Sequence, residues 1–243
     1  LIKEKFYGER FRNEKINKIK YFSHMDKIIC ISENTKKDLI EHYKISPELI
    51  DVVHLGVSFN KNYIKNDNIL TKKPYMLFVG NRSRYKNFKN FISSYINSER
   101  LKKDFDILCF GGDAFNMEEI NFFKKFGISQ KIKQANGSDL ELNYFYKNAR
   151  CFVFPSLYEG FGLPLLESMN MDCPVICSNN SCFLEVTNNS AAMFDANNIE
   201  NITYEIERVV YDDERNDVIN HLENILGNVY HSCDGKTQVI DFI

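Results

Sequence analysis

Residues 151–169, CFVFPSLYEGFGLPLLESM, contain the signals of a strand, a turn and a helix in that order. The opening run of four apolar residues is typical of a strand that is buried on both faces. Gly160 and Gly162 then permit a sharp turn, and Pro164 favours the first turn of a helix. This stretch therefore predicts a strand that passes directly into a helix, which is the repeating unit of an α/β sheet.

The same alternation extends to both sides of this stretch. Short apolar runs predict strands at 75–79, 106–110, 131–135, 151–154, 174–178 and 192–194. Helical spacing predicts helices at about 88–98, 115–126, 139–149, 163–171 and 198–211. Ser138 and Glu141 have the spacing of a capping box at the start of one of these helices. We expect an α/β fold with a doubly wound, Rossmann-like parallel sheet that binds ligands beyond the carboxyl ends of its strands.

The chain before residue 75 is organised differently. Residues 26–32 and 51–55 predict two strands with a helix over 34–43 between them, which is too little for a doubly wound sheet. Residues 58–74 carry four Asn and four Lys without apolar periodicity, as a linker would. The chain also begins with Leu, so we expect further sequence upstream. We predict four parts: a remnant of an N-terminal domain at 1–57, a linker at 58–74, a ligand-binding domain at 75–227, and a C-terminal segment at 228–243.

Composition and charge narrow the classes of function. The 243 residues include 44% hydrophobic residues, enough to bury the core of one or two domains. A formal net charge of −2 argues against nucleic acid as a partner, because phosphate backbones attract basic surfaces. The seven cysteines lack zinc-site spacing, so no metal site is predicted. No apolar run approaches the ~20 residues that cross a bilayer, and no secretion signal is present, which predicts a soluble, cytoplasmic protein.

A candidate anion site follows the first strand of the predicted sheet, in VGNRSRYKNF at residues 79–88. Gly80 lets the backbone turn, and Arg82 and Lys86 project from a loop in which oriented amides already favour an anion. Arginine can bind two phosphate oxygens at once, and lysine adds a mobile point charge. The pair suits a diphosphate; the alternative interpretation is a solvated loop that carries three cations.

Two further features lie at the ends of predicted strands. Gly111 and Gly112 permit close approach of a ligand or of a neighbouring loop, or only make a turn. In the stretch quoted first, Glu159 and Glu167 can accept hydrogen bonds from hydroxyl groups, for which sugar and ribose are the natural donors. A helix N-terminus at this point presents unpaired backbone N–H groups, which favour an anion. These groups belong to Phe161, Gly162 and Leu163.

Several segments, in this order, resemble the C-terminal half of the family 4 retaining glycosyltransferases, which have the GT-B fold and use nucleotide-diphosphate sugars. The resembling segments are DKIICISE (26–33), HLGV (54–57), VGNR (79–82), YKN (85–87), SDLEL (138–142), residues 159–167, CPVI (173–176), SNNS (178–181), and Glu185 with Val186. The resemblance implies a GT-B donor domain preceded by a remnant of the domain that carries the acceptor site. It also implies that the C-terminal segment at 228–243 crosses back toward the N-terminal domain.

The resemblance also implies roles for the candidate residues. The cationic pair would hold the diphosphate and stabilise it as a leaving group, and Glu159 would lie near the donor sugar. Glu167 would bind the ribose hydroxyls, and residues 136–139 would contact the base. The implied catalytic residues are Glu159, Arg82 and Lys86, and the implied donor-binding residues are Gly80, Asn136, Gly137, Asp139, Phe161, Gly162, Leu163 and Glu167. Such enzymes transfer with retention and use no metal and no other cofactor.

The combination of YKN at 85–87 and GSD at 137–139 looks most like mannosyltransferases that use GDP-mannose, with a UDP-sugar as the alternative donor. The acceptor would be a glycan or a lipid-linked sugar, and the missing N-terminal domain could contact the inner face of the membrane. We expect these residues alone to be inactive. Two alternatives stay open: a truncated nucleotide-sugar-binding module without turnover, and another GT-B activity such as nucleotide-sugar epimerisation.

Three positions depart from the family pattern. Ala135 and Asp172 stand where glycine is usual, and Leu184 stands where proline is usual. We expect these departures to affect turns more than chemistry. No catalytic base is assigned to any histidine, because a lone histidine is more often a surface or packing residue.

Overall fold

The computed structural model describes residues 21–22, 24–56, 61–65, 73–82 and 84–211. Most of the predicted linker, the first twenty residues and the predicted C-terminal segment at 228–243 lie outside the described residues. The boundaries of the four predicted parts stay a prediction.

A small two-stranded sheet precedes the main sheet. Strands β1 (Ile28–Cys30) and β2 (Ile50–Val52) pair in parallel, and helix α1 (Glu33–Tyr43) connects them. The Ser32 side chain caps this helix by accepting a hydrogen bond from the Thr35 N–H. Both strands are shorter than the apolar runs predicted for them, and α1 begins one residue before its predicted start.

The main sheet has six parallel strands in the order β5-β4-β3-β6-β7-β8. The strands are β3 (Tyr75–Val79), β4 (Asp106–Phe110), β5 (Ile132–Ala135), β6 (Cys151–Phe154), β7 (Val175–Ser178) and β8 (Ala192–Phe194). The helices that alternate with them are α2 (Phe88–Asn97), α3 (Glu99–Asp104), α4 (Met117–Lys125), α5 (Asp139–Asn148), α6 (Leu163–Asn170), α7 (Phe183–Thr187) and α8 (Ile199–Tyr211). The predicted α/β class is confirmed.

Every predicted strand and helix of this sheet is present, and its ends differ from the prediction by at most two residues. The short helices α3 and α7 were not predicted. Helix α3 begins directly after α2, where the Ser98 side chain accepts a hydrogen bond from the Leu101 N–H and caps a new helix. Helix α7 spans only five residues, too few for an apolar period to show in the sequence.

Side chains of the central strands alternate between two apolar cores. In β3, Leu77 and Val79 face the core covered by α5, α6 and α7, whereas Met76 and Phe78 face the core covered by α2, α4 and α8. All five residues of β3 and all five of β4 are buried. Burial on both faces explains why these strands are continuous apolar runs in the sequence.

The strand order fixes where a ligand can enter. The chain proceeds outward from β3 to β5, then returns to the centre at β6 and proceeds outward to β8. The order therefore reverses between β3 and β6, and a crevice opens at such a reversal, beyond the carboxyl ends of the strands. The loops after β3 and β6 border this crevice, and they carry the two halves of the predicted site.

Gly112 allows the loop after β4 to approach the loop after β3. Its φ of +72° is in the left-handed region, and a Cβ atom there would lie 3.0 Å from the carbonyl oxygen of Gly80 and 3.1 Å from Cα of Asn81. The sequence left open whether Gly111 and Gly112 approach a ligand, approach a neighbouring loop or only make a turn. The structure shows the approach to a neighbouring loop. The geometry of the β3 loop thus depends on a residue without a side chain.

We expect Gly112→Ala to lower the free energy of unfolding by about 1–3 kcal/mol more than Gly127→Ala does. Both glycines have positive φ, so alanine carries the same left-handed backbone cost at each position. A Cβ at Gly127 would meet nothing within 4 Å, whereas the one at Gly112 would be overpacked against backbone. Urea unfolding of both variants measures the difference, and equal losses would contradict the close approach.

Candidate functional site

Lys86 and Glu159 face each other where the strand order reverses. Lys86 ends the short turn Arg84–Lys86 after β3, and Glu159 lies in the loop after β6. Lys86 Nζ and Glu159 Oε1 are 2.7 Å apart, and the two side chains are 14% and 16% exposed. A lysine ammonium has three donor hydrogens, so it can hold this carboxylate and an oxygen of a bound anion together.

The loop after β6 leads directly into α6. Gly162 has a φ of +97° and caps the helix, and Pro164 lies in its first turn, as the sequence predicted. A Cβ at Gly162 would lie 3.1 Å from Cδ1 of Leu165, so this turn favours glycine on two grounds. The backbone N–H groups of Phe161, Gly162 and Leu163 lie at this positive end of the helix.

Glu167 lies on α6 in a second polar cluster. The Tyr146 hydroxyl donates a hydrogen bond to Glu167 Oε2 over 3.2 Å. The pKa of the Glu167 carboxyl is raised, chiefly by burial and further by the charge of Asp139. The hydrogen bond from Tyr146 lowers this pKa but does not cancel the effect of burial. Tyr146 was not among the predicted site residues, because its sequence signal is that of an apolar position on α5.

The loop after β5 is shaped by the helix that follows it. The Ser138 N–H donates to Glu141 Oε2 over 2.8 Å, and the Glu141 N–H donates to Ser138 Oγ, so the predicted capping box is confirmed. A Cβ at Gly137 would lie 2.6 Å from Glu141 Oε2. Glycine at position 137 thus leaves room for the Glu141 carboxylate in the cap, and Asn136 and Asp139 are exposed on either side of it.

The structure pairs Arg82 with a carboxylate other than Glu159. Arg82 Nε lies 2.7 Å from Glu119 Oε1, and Nη2 donates to the carbonyl oxygen of Asp113 over 2.6 Å. The guanidinium carbon is 4.6 Å from the centre of the Phe115 ring, and the side chain is only 6% exposed. Sequence reasoning missed Glu119, although its spacing from Asn116 is that of a capping box.

This arrangement separates the two cations that were expected to act together. Lys86 pairs with the loop after β6, and Arg82 pairs with α4. The physical reason is that the Arg82 guanidinium is held by the Glu119 carboxylate and lies over the Phe115 ring. The role of Arg82 on a diphosphate stays a prediction.

Residues of the small sheet also contact the loop after β6. Ser32 Oγ donates to the carbonyl oxygen of Gly160 over 2.7 Å. Glu185 on α7 accepts a hydrogen bond from the Glu33 N–H over 2.8 Å, and its Oε1 lies 2.6 Å from Nε2 of His54. Glu185 thus holds the N-terminus of α1 and a histidine for which the sequence predicted no role.

Residues 59–222, about two thirds of the chain, match the model of the family described as "Glycosyl transferases group 1". The chain belongs to this family. The chain is 26% identical over 199 residues to O-antigen chain mannosyltransferase B of Escherichia coli, covering 76% of this chain and 52% of that protein. It is 28% identical over 168 residues to O-antigen chain mannosyltransferase RfbU of Salmonella typhimurium, covering 68% and 45%. The chain spans about half the length of these curated relatives.

A solved structure supports the fold of this chain. Sucrose-phosphate synthase from Thermosynechococcus elongatus superposes with a TM-score of 0.76 at 19% identity, covering 93% of this chain and 60% of that one. The architecture is an α/β fold of the GT-B type, as the resemblance implied. In this chain, Lys86 and the N-terminus of α6 border one crevice and are suited to an anion, and Glu159 and Glu167 are suited to hydroxyl groups.

The described residues of the chain contain neither a helix long and apolar enough to cross a membrane nor a cluster of three side chains that could hold a metal ion. The six cysteines in this part of the chain are buried thiols. Burial raises the pKa of Cys109 to about 12 and that of Cys182 to about 12. The thiols of Cys109 and Cys182 are therefore protonated at neutral pH, and Cys109 acts as a small apolar side chain.

We expect Glu119→Gln to lower the free energy of unfolding by about 1–3 kcal/mol, because it leaves the buried Arg82 guanidinium without a counter-charge. Glutamine retains the capping-box acceptor, so the change isolates the charge. Glu118→Gln, at the exposed neighbouring position of the same helix turn, is the control and should cost less than ~0.5 kcal/mol. Urea unfolding measures both, and equal effects would show that the ion pair adds no stability.

We expect Glu167→Gln to stabilise the protein at neutral pH. A raised pKa means that the folded state binds the proton more tightly, so wild-type stability falls as pH rises from the unfolded pKa of ~4.3 toward the folded value. The variant lacks this loss, so its advantage should grow from pH 4 to pH 7, as measured by unfolding at several pH values. Glu200→Gln, at an exposed carboxylate of α8, is the control for net charge. An advantage that does not change with pH would contradict the expectation.

Proposed function

We propose that the chain is the donor-binding part of a family 4 retaining glycosyltransferase, which transfers mannose from GDP-mannose to a glycan or a lipid-linked acceptor in polysaccharide biosynthesis. The observation that carries the proposal is the Lys86–Glu159 pair, 2.7 Å apart at the strand-order reversal and beside the N-terminus of α6. The names of the relatives and the segments YKN (85–87) and GSD (137–139) support mannose and GDP. A UDP-sugar is the alternative donor.

In the proposed reaction, the bond between the donor sugar and the diphosphate breaks, and negative charge grows on the departing diphosphate. The Lys86 ammonium and the backbone N–H groups at the start of α6 are placed to stabilise this charge. We propose that these positive groups of the chain, and not a metal, stabilise the diphosphate as it leaves. Arg82 would have to exchange Glu119 for the diphosphate in order to take part.

The carboxylates have separate tasks in this proposal. Glu159 orients the sugar hydroxyls and fixes the direction of Lys86. Glu167 accepts hydrogen bonds from the ribose hydroxyls, which would offset the cost of burying its charge. Asn136, Gly137 and Asp139 border the base.

The residues assigned above all concern the donor, and none of them is assigned to the acceptor. The match covers only about half of each curated relative, so we propose that the chain as given binds the donor without transferring the sugar. A nucleotide-sugar epimerase is the second alternative, and product analysis by mass would separate it from a transferase. We place the reaction in the cytoplasm, with contact to the inner face of the membrane through an N-terminal domain.

Calorimetric titration with GDP-mannose, GDP, UDP-glucose and UDP tests the proposal. We expect GDP-mannose to bind more tightly than UDP-glucose. Lys86→Ala should lower the affinity for all four ligands about 10- to 150-fold, which corresponds to the ~1.5–3 kcal/mol of a charged hydrogen bond. Lys89→Ala, at an exposed lysine on α2, is the matched control and should leave the affinities unchanged. A folded sample that binds none of the four ligands would refute the proposal.

A further inference from the structure

The loop that carries Glu159 is held by side chains of the turn after β7. Ser181 Oγ donates to the carbonyl oxygen of Glu159 over 2.5 Å, and the Glu159 N–H donates to the same Oγ over 3.3 Å. Cys182 Sγ donates to the carbonyl oxygen of Phe161 over 3.0 Å. One hydroxyl therefore binds both polar backbone groups of Glu159, so its Cα cannot shift without loss of a hydrogen bond.

Ser181 holds this position in a conformation that serine rarely adopts. Its φ is +58°, in the left-handed region, where glycine or asparagine is more easily accommodated. Such strain persists only where the surroundings fix it, and it occurs preferentially at functional sites. A glycine would relieve the strain but would lose both hydrogen bonds to Glu159.

The same hydroxyl is linked to the N-terminal part of the chain. Asn34 Nδ2 lies 3.4 Å from Ser181 Oγ and donates to the Tyr158 hydroxyl over 3.1 Å. Tyr158 is the residue before Glu159, so Asn34 contacts both Ser181 and a side chain of the loop that carries Glu159. Ser181 lies between the N-terminal part and the Lys86–Glu159 pair.

We propose that Ser181 is a positioning residue for the sugar end of the donor. By fixing the backbone of Glu159, it keeps the carboxylate at Lys86 and in reach of the sugar hydroxyls. The inference rests on the proposed function and deepens it, because it assigns Ser181 to recognition of the sugar and not of the nucleotide. Loss of the Ser181 hydroxyl should therefore weaken the binding of GDP-mannose much more than the binding of GDP.

Ser181→Gly tests this, since glycine removes the hydroxyl and relaxes the backbone. Calorimetry should show a preference for GDP-mannose over GDP that is reduced about 5- to 10-fold, with GDP affinity within twofold of wild type. Asn189→Gly is the matched control, because Asn189 is exposed, has a φ of +64° and does not contact Glu159. A folded Ser181→Gly variant with an unchanged preference would overturn the inference.

A second measurement needs no ligand and separates the inference from the proposed function. Ser181→Gly and Lys86→Ala are combined in a double-mutant cycle on the free energy of unfolding. We expect the two changes to be non-additive, because both act on the position of Glu159, whereas Asn189→Gly and Lys86→Ala should add. Additive behaviour of Ser181→Gly would overturn the positioning role, even if the wild-type chain binds no nucleotide sugar.

Discussion

The ion pair between Lys86 and Glu159 is the constraint on which the site depends. The two charged groups are 2.7 Å apart in a place where little solvent reaches either side chain. Neither charge would be stable there alone, because a buried charge without a partner is strongly unfavourable. The pair joins the loops after β3 and β6 at the reversal of strand order. A ligand that binds there meets a cation already oriented by a carboxylate.

Around this pair, the loop after β6 obtains its hydrogen bonds from other parts of the chain. Ser178 Oγ donates to the carbonyl oxygen of Ser156, and the Leu157 N–H donates to the carbonyl oxygen of Tyr85. Ser32, the N-cap residue of α1, donates a hydrogen bond to the carbonyl oxygen of Gly160. Buried backbone groups require partners, and an irregular loop cannot supply them itself. The shape of the site is therefore distributed over both parts of the chain.

The sequence was sufficient for the fold because its strands are buried on both faces and its helices carry caps. The apolar run YMLFV at 75–79 and the capping box at Ser138 are local signals, and the structure has both where they were expected. The partners of the charged residues are not local signals. Arg82 and Glu119 are 37 residues apart, and nothing in either segment indicates which carboxylate each cation will meet. That choice follows from how the strands are ordered in the sheet.

Asp172 shows how a departure from the family pattern is accommodated. It stands where glycine is usual, and its φ of +57° is the conformation that glycine would adopt freely. Its carboxylate lies 2.8 Å from Lys61 Nζ and 2.7 Å from Lys147 Nζ. Burial opposes ionisation, but the hydrogen bonds from both lysines hold the pKa of Asp172 below its ordinary value. The side chain that strains the turn thus links the segment at 61–65 to α5, and a glycine would relieve the strain but lose this contact.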